Sequence, residues 1–215
     1  MAAVLEPVKW MYQGGVCLAV PGFTLWVDPY ELEPSVPKAD AILVTHAHSD
    51  HYSPDDIGLL MQPGTHLFAM ANVAEKMRTR FAEAAERLTV VEEGARYVLG
   101  EGMAFTAAPV DGKNHPRGSG FGPVVEMAGF TYYLSGDTDV LDKQVACDVL
   151  FCVCDGKYNM LPDALTRAPA EIKAMARRPK LVVPYHFANG DVENGPKLAE
   201  ILNGMGIESQ VLSKG

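Results

Sequence analysis

The sequence predicts an α/β fold of two halves, each opening in strands and closing in helices. Short apolar runs such as Ala41–Val44 and residues 149–154 read as buried strands, and amphipathic stretches long enough for helices alternate with them. The same order of elements occurs twice along the chain, so two such halves are expected to pack sheet against sheet with helices outside.

In chain order, residues 9–12, Val16–Val20, Phe23–Val27 and Ala41–Val44 read as strands. Residues 10–27 carry no charge, but Gly14, Gly15, Pro21 and Gly22 break the run into strands and turns that do not suit a spanning helix. Ser53-Pro54-Asp55-Asp56 opens a short helix, with Ser53 as cap and two carboxylates at the positive end of the dipole. A strand follows at 65–70. The clearest helix is 72–87, where Val73, Met77, Phe81 and Ala85 repeat every four residues.

The second half gives strands at 96–99, 103–107, 123–127, Phe130–Leu134 and 149–154, with Met127-Ala128-Gly129-Phe130 as a hairpin turn. Helices are expected at 162–177 and 195–203, separated by a strand at 180–183 and followed by an extended segment at 206–212. No repeat or linker interrupts the chain, which reads as one domain over residues 1–215.

Composition narrows the function. The 215 residues are 48% hydrophobic and 21% charged, as in a globular domain with a sizeable core. Eighteen Lys and Arg against 27 Asp and Glu leave a net charge of −9, which disfavours nucleic-acid and anionic-membrane partners. Cys17, Cys147, Cys152 and Cys154 are too sparse for a disulfide framework and are expected as small core residues in a reducing compartment. Glu6 and Pro7 stand where a basic leader would be, so a cytoplasmic location is expected.

The strongest chemical signal is Thr45-His46-Ala47-His48-Ser49-Asp50-His51, directly after a buried strand. So many polar rings on one turn would be crowded and desolvated unless a cation binds them. His46 and His48, two apart, can share a direction, whereas Asp50 and His51 come round the turn, which favours two neighbouring metal positions. Other candidates also end apolar strands: Asp137 in Ser135-Gly136-Asp137-Thr138 and His186 in Pro184-Tyr185-His186. His115 sits in the glycine-rich segment 111–120, long enough to reach over a site, while His66 reads as a strand-edge residue.

These residues, with Asp28 in Val27-Asp28-Pro29, resemble the ordered motif set of the metallo-β-lactamase superfamily. Gly136-Asp137-Thr138-Asp139, His115-Pro116 and Tyr158-Asn159-Met160 resemble its small stand-alone metal-dependent hydrolase branch, which includes the ascorbate-6-phosphate lactonase-like proteins. The resemblance implies a four-layer αβ/βα sandwich. It also implies that His46, His48 and His115 hold one metal, that Asp50, His51 and His186 hold another, that Asp137 bridges and that Asp28 orients a histidine. The chain departs from that branch at Val110-Asp111, where a Tyr-Asn pair is expected, and at Asp155-Gly156-Lys157, where Gly-Gly-Thr is expected.

Such ligands imply one or two divalent ions, Zn or Mn first and Fe next, since the set is nitrogen and oxygen with no thiolate. Two ions about 3.5–4 Å apart activate a water for hydrolysis, with Asp50 as ligand and proton carrier. Lys113, Arg117, Lys157 and Tyr158 are the expected substrate contacts, which suits a small anionic ester, lactone or phosphodiester. The alternatives are a mononuclear non-haem iron oxidoreductase like the sulfur dioxygenases, and an RNA phosphodiesterase, which acidity and small size disfavour. The expected partner is a small-molecule substrate, with no nucleic acid, no membrane and no assembly state implied.

Overall fold

A mixed six-stranded sheet forms the first of two units, and a second sheet of six strands forms the other. The computed structural model describes residues 2–188 and 190–215. Its first unit runs to Glu92 and takes in Lys214–Gly215, and its second is Glu93–Ser213.

In the first unit a short helix α1 (Ala2–Leu5) precedes strands β1 (Val8–Trp10), β2 (Val16–Val20) and β3 (Phe23–Val27), which pair antiparallel. Pro21-Gly22 closes the β2–β3 hairpin, and Gly22 takes φ +82°, which a side chain would resist. Strands β4 (Ala41–Val44), β5 (His66–Ala69) and β6 (Leu88–Val90) then add in parallel, giving the order β1-β2-β3-β4-β5-β6. Every residue of β4 is buried, which is why it reads as a continuous apolar run.

Helix α2 (Pro54–Leu60) starts at Ser53, whose hydroxyl accepts from Asp56 N and donates to Asp56 Oδ2 at 2.7 Å. Asp56 also accepts from Glu31 N and Leu32 N, both at 3.0 Å, so the cap ties the helix to the 28–33 loop. Ser53→Ala is expected to cost about 1 kcal/mol of stability, read as a lower midpoint in urea unfolding.

The helix expected over 72–87 is instead α3 (Ala71–Arg80), a break at Phe81 and a 3-10 turn over Ala82–Arg87. Phe81 leaves the helical region at φ −124°, ψ 58°, and the next buried side chain is Ala84, three residues on. A spacing of three suits the tighter turn, so Val73, Met77, Phe81 and Ala84 all reach the core around Trp26, Ile42 and Leu67. The three-residue strand β6 then begins where the helix was expected to end.

The second unit orders its strands β12-β11-β10-β9-β8-β7. Strands β7 (Arg96–Gly100), β8 (Met103–Pro109), β9 (Phe121–Met127) and β10 (Phe130–Leu134) are antiparallel. Ala128 and Gly129 make the β9–β10 turn, both at positive φ (55° and 77°). Strands β11 (Val149–Val153) and β12 (Leu181–Tyr185) continue parallel to β10, and both are buried along their whole length.

Helix α4 (Ala164–Ala174), capped by Asp163, is shorter at both ends than the expected 162–177; α5 spans Asn194–Gly204. The extended segment at 206–212 makes no strand. It touches the sheet through one bridge, Val182 with Ser209.

Parallel strands share a direction, so within each unit their carboxyl ends fall along one edge of the sheet. Asp28 and Thr45–His51 follow β3 and β4, while Asp137, Asp155 and His186 follow β10, β11 and β12. No helix among the described residues is long and apolar enough to cross a membrane.

Candidate metal centre

In the first unit the site is built on Asp28, which is buried and takes φ +46° immediately after β3. Its Oδ1 accepts from Thr45 N (2.7 Å), and its Oδ2 accepts from Thr45 Oγ1 (2.6 Å) and His51 Nδ1 (2.7 Å). With its hydrogen given to Asp28, the Thr45 hydroxyl can accept from His46 Nδ1 at 3.1 Å. This network assigns the ring protons to Nδ1 in both His46 and His51, leaving each Nε2 with a lone pair.

His46 Nε2 lies 3.0 Å from His48 Nδ1, and His51 Nε2 lies 3.9 Å from Asp50 Oδ2. Backbone bonds from His51 N and Tyr52 N to His48 O close the turn that returns Asp50 and His51 toward the strand. A Cβ on Gly14 would stand 2.9 Å from His51 Cε1, so only glycine lets the β1–β2 loop come this close. His46 and His51 are buried, Asp50 is half-buried and His48 is exposed. Tyr30, which the sequence did not single out, also lies near Asp50. Burial and the charges of Glu31 and Asp50 raise its hydroxyl pKa.

The second unit centres on Asp137, 5% exposed. Its Oδ2 is 3.4 Å from His115 Nε2 and its Oδ1 is 3.3 Å from His186 Nε2, so the two oxygens face different histidines. Gly136 sets up this turn at φ +64°, where a Cβ would strike Phe121 O at 2.9 Å. His186 holds φ +52°, in the left-handed region where a side chain is strained.

The His115 loop is fixed by Asp139, whose two oxygens accept from Lys113 N (3.0 Å) and Leu161 N (2.9 Å). Asn114 Nδ2 adds a bond to Tyr158 O at 2.8 Å.

Asp155 stands where the sequence departs from the pattern it resembles. Its Oδ1 accepts from the backbone N–H groups of Lys157 (2.8 Å), Tyr158 (2.6 Å) and Asn159 (3.2 Å). Its Oδ2 accepts from Asn159 Nδ2 (2.7 Å) and lies 3.8 Å from His186 Nδ1. A carboxylate here therefore forms the turn that carries Lys157 and Tyr158. The sequence reading missed this role, although Asp155 follows an apolar strand just as Asp28 does.

The donors present fit a divalent ion. Ligands about 2.0–2.1 Å from a tetrahedral Zn are about 3.3–3.4 Å from one another. The His46–His48 contact at 3.0 Å and the two Asp137–histidine contacts at 3.3 and 3.4 Å come close to that spacing, each within its own unit.

Of the expected substrate contacts, Lys113 and Lys157 are exposed, and Lys157 Nζ lies 4.7 Å from the centre of the Tyr158 ring. Arg117 pairs with Glu93 and lines a cavity of about 270 Å³ with Asp111, Asp142 and Lys143. His66 opens β5, hydrogen-bonded to Thr89 Oγ1 at 3.0 Å, and burial lowers its pKa. All four cysteines are buried and free, and burial pushes Cys17, Cys147 and Cys152 up to about 12, so they behave as core residues.

A family model described as a β-lactamase superfamily domain matches residues 17–187. A UPF0173 metal-dependent hydrolase of Anaeromyxobacter sp. (strain K) is 28% identical over 208 residues, covering 84% of this chain and 74% of the relative. Another, from Methanoculleus marisnigri, is 28% identical over 185 residues, covering 81% and 78%. A solved structure from Parabacteroides distasonis superposes with a TM-score of 0.80 at 23% identity, over 95% of this chain and 91% of the other. A metallo hydrolase from Ignicoccus hospitalis gives 0.76 at 19% identity, over 97% and 95%.

Proposed function

The chain belongs to the β-lactamase superfamily and shares its α/β fold, and from that premise we propose that it is a metal-dependent hydrolase of a small anionic ester, lactone or phosphodiester. The observation that carries the reading is Asp137, whose two oxygens divide between His115 and His186 as a shared ligand requires. His46, His48 and His115 are the proposed ligands of one ion, and Asp50, His51 and His186 those of a second, with Asp137 common to both. Zn or Mn suits this nitrogen and oxygen set, with Fe the next choice.

Bound there, divalent ions supply Lewis acidity and an activated water. The chain's own residues do the rest. Asp28 fixes the His51 ring through Nδ1, and Thr45 does the same for His46. Asp50 is only 19% exposed at its side chain and sits beside His51, where its carboxylate can take the proton of the attacking water and pass it to the leaving group. Lys113 and Lys157, on loops held by Asp139 and Asp155, offer positive charge to an anionic substrate. The net charge of −9 speaks against RNA as that substrate, and four free buried thiols suit a reducing cytoplasm.

Hydrolysis of a panel of chromogenic esters, lactones and bis(p-nitrophenyl) phosphate tests the reading. Treatment with a chelator is expected to lower turnover by at least about 100-fold, and Zn²⁺ or Mn²⁺ to restore it. Undiminished turnover in metal-free protein would overturn it.

A further inference from the structure

We propose that Asp155 and Asn159 are a positioning pair that sets the carboxylate of Asp137 and the ring of His186, so that tight divalent-ion binding depends on a carboxamide that ligates nothing itself. The proposal rests on the metal-dependent reading above.

Asp155 is anchored first. Three successive N–H groups converge on its Oδ1, so the chain from Lys157 to Asn159 wraps around one oxygen. Asn194 Nδ2 holds the Asp155 carbonyl at 3.0 Å, and Gly156 N donates to Asn159 O at 3.1 Å. Both residues are buried, Asn159 completely.

The wrapped turn carries the Asn159 side chain to a point between two carboxylates. Its Nδ2 donates to Asp155 Oδ2 at 2.7 Å and to Asp137 Oδ2 at 3.1 Å. A primary amide presents two hydrogens on one nitrogen, so a single neutral group can tie two anions together. The amide cannot turn over, because Oδ1 would then face both carboxylates. Electrostatics therefore settles its orientation.

Charge explains why this group is an amide and not a cation. Two carboxylates buried side by side repel, and an ammonium between them would relieve the repulsion. That same ammonium would neutralise Asp137 and compete with an incoming metal ion. Asn159 holds Asp137 in place and leaves its charge intact. On its other side Asp155 Oδ2 faces His186 Nδ1 at 3.8 Å, while His186 Nε2 faces Asp137. One anchored carboxylate thus acts on two proposed ligands, through the carboxamide on one and by its charge across 3.8 Å on the other.

Zn²⁺ affinity, measured by competition with a chromophoric chelator, tests the pair alongside melting of the metal-free proteins. Asn159→Ala is expected to weaken Zn²⁺ binding about 10-fold without lowering the metal-free melting temperature enough to unfold the protein at assay temperature. Asp155→Asn keeps the Oδ1 acceptor for the turn but sets a donor against the Asn159 amide, and it should weaken binding by at least as much. The double variant should lose no more than Asp155→Asn alone, because the amide acts with the carboxylate and not beside it. Parental affinity in Asn159→Ala, or losses that add in full, would overturn the proposal. Should Asn159→Ala not fold, parental affinity in the isosteric Asp155→Asn has the same force. A parent chain that binds neither Zn²⁺ nor Mn²⁺ would overturn the metal-dependent reading itself, and this proposal with it.

Discussion

Asp137→Ala is expected to abolish divalent-ion binding at micromolar ion and to lower kcat/KM by at least about 10³-fold, a loss of about 4 kcal/mol in transition-state stabilisation. The size follows from its position. Each oxygen faces a different histidine, 3.3 Å from His186 and 3.4 Å from His115, so on the proposed ligand assignment the truncation takes a donor from both ions at once. It also removes the acceptor of one Asn159 hydrogen. The loss should persist when ion is added to saturation, in contrast to variants that only weaken affinity. Steady-state kinetics against metal concentration checks this, and a full return of turnover at high Zn²⁺ would contradict a shared-ligand role.

Asp28→Ala should be the most damaging change in the first unit, costing about 3–5 kcal/mol of stability and about 100-fold in metal affinity. Three donors converge on this carboxylate: Thr45 N, Thr45 Oγ1 and His51 Nδ1. All belong to buried residues, so alanine takes from them the acceptor they share. The backbone adds to the loss, because alanine at φ +46° costs about 1 kcal/mol or more that aspartate partly avoids. Asp28→Asn separates the two parts, since asparagine tolerates that conformation but turns a donor toward a donor. Urea unfolding of the metal-free proteins reads the stability change, and chelator competition reads the affinity.

Four strands with Gly, Pro or Asp at an end were legible residue for residue. Val16–Val20, Phe23–Val27, Ala41–Val44 and Phe130–Leu134 all fall where the sequence sets them. A period of four along 73–85 could not show that the chain leaves the helix at Phe81, because a 3-10 turn buries Ala84 with nearly the same pattern. Three residues of β6 are too few to signal a strand without the parallel neighbour that pairs with them.

At the site, the rule that reactive residues end apolar strands picked out Asp137 and His186. Applied once more, to β11, it would also have picked out Asp155. Asn159 was beyond its reach: it lies in a loop, and its importance comes from a turn that only the Asp155 carboxylate creates. Arg117 was equally opaque, since its partner Glu93 is 24 residues away.

The left-handed backbone at Asp28 and His186 also bears on how this protein would answer selection for heat resistance. Glycine at His186 would ease the main chain by about 1–2 kcal/mol while deleting the side chain's chemistry, whereas at Asp28 the three hydrogen bonds lost with the carboxylate outweigh that gain. A screen that rewards folded protein alone would therefore keep Asp28 but drift at His186 toward a hardier chain that lacks one proposed ligand. Selection at His186 has to be coupled to turnover for the chemistry to survive it, whereas stability alone guards Asp28.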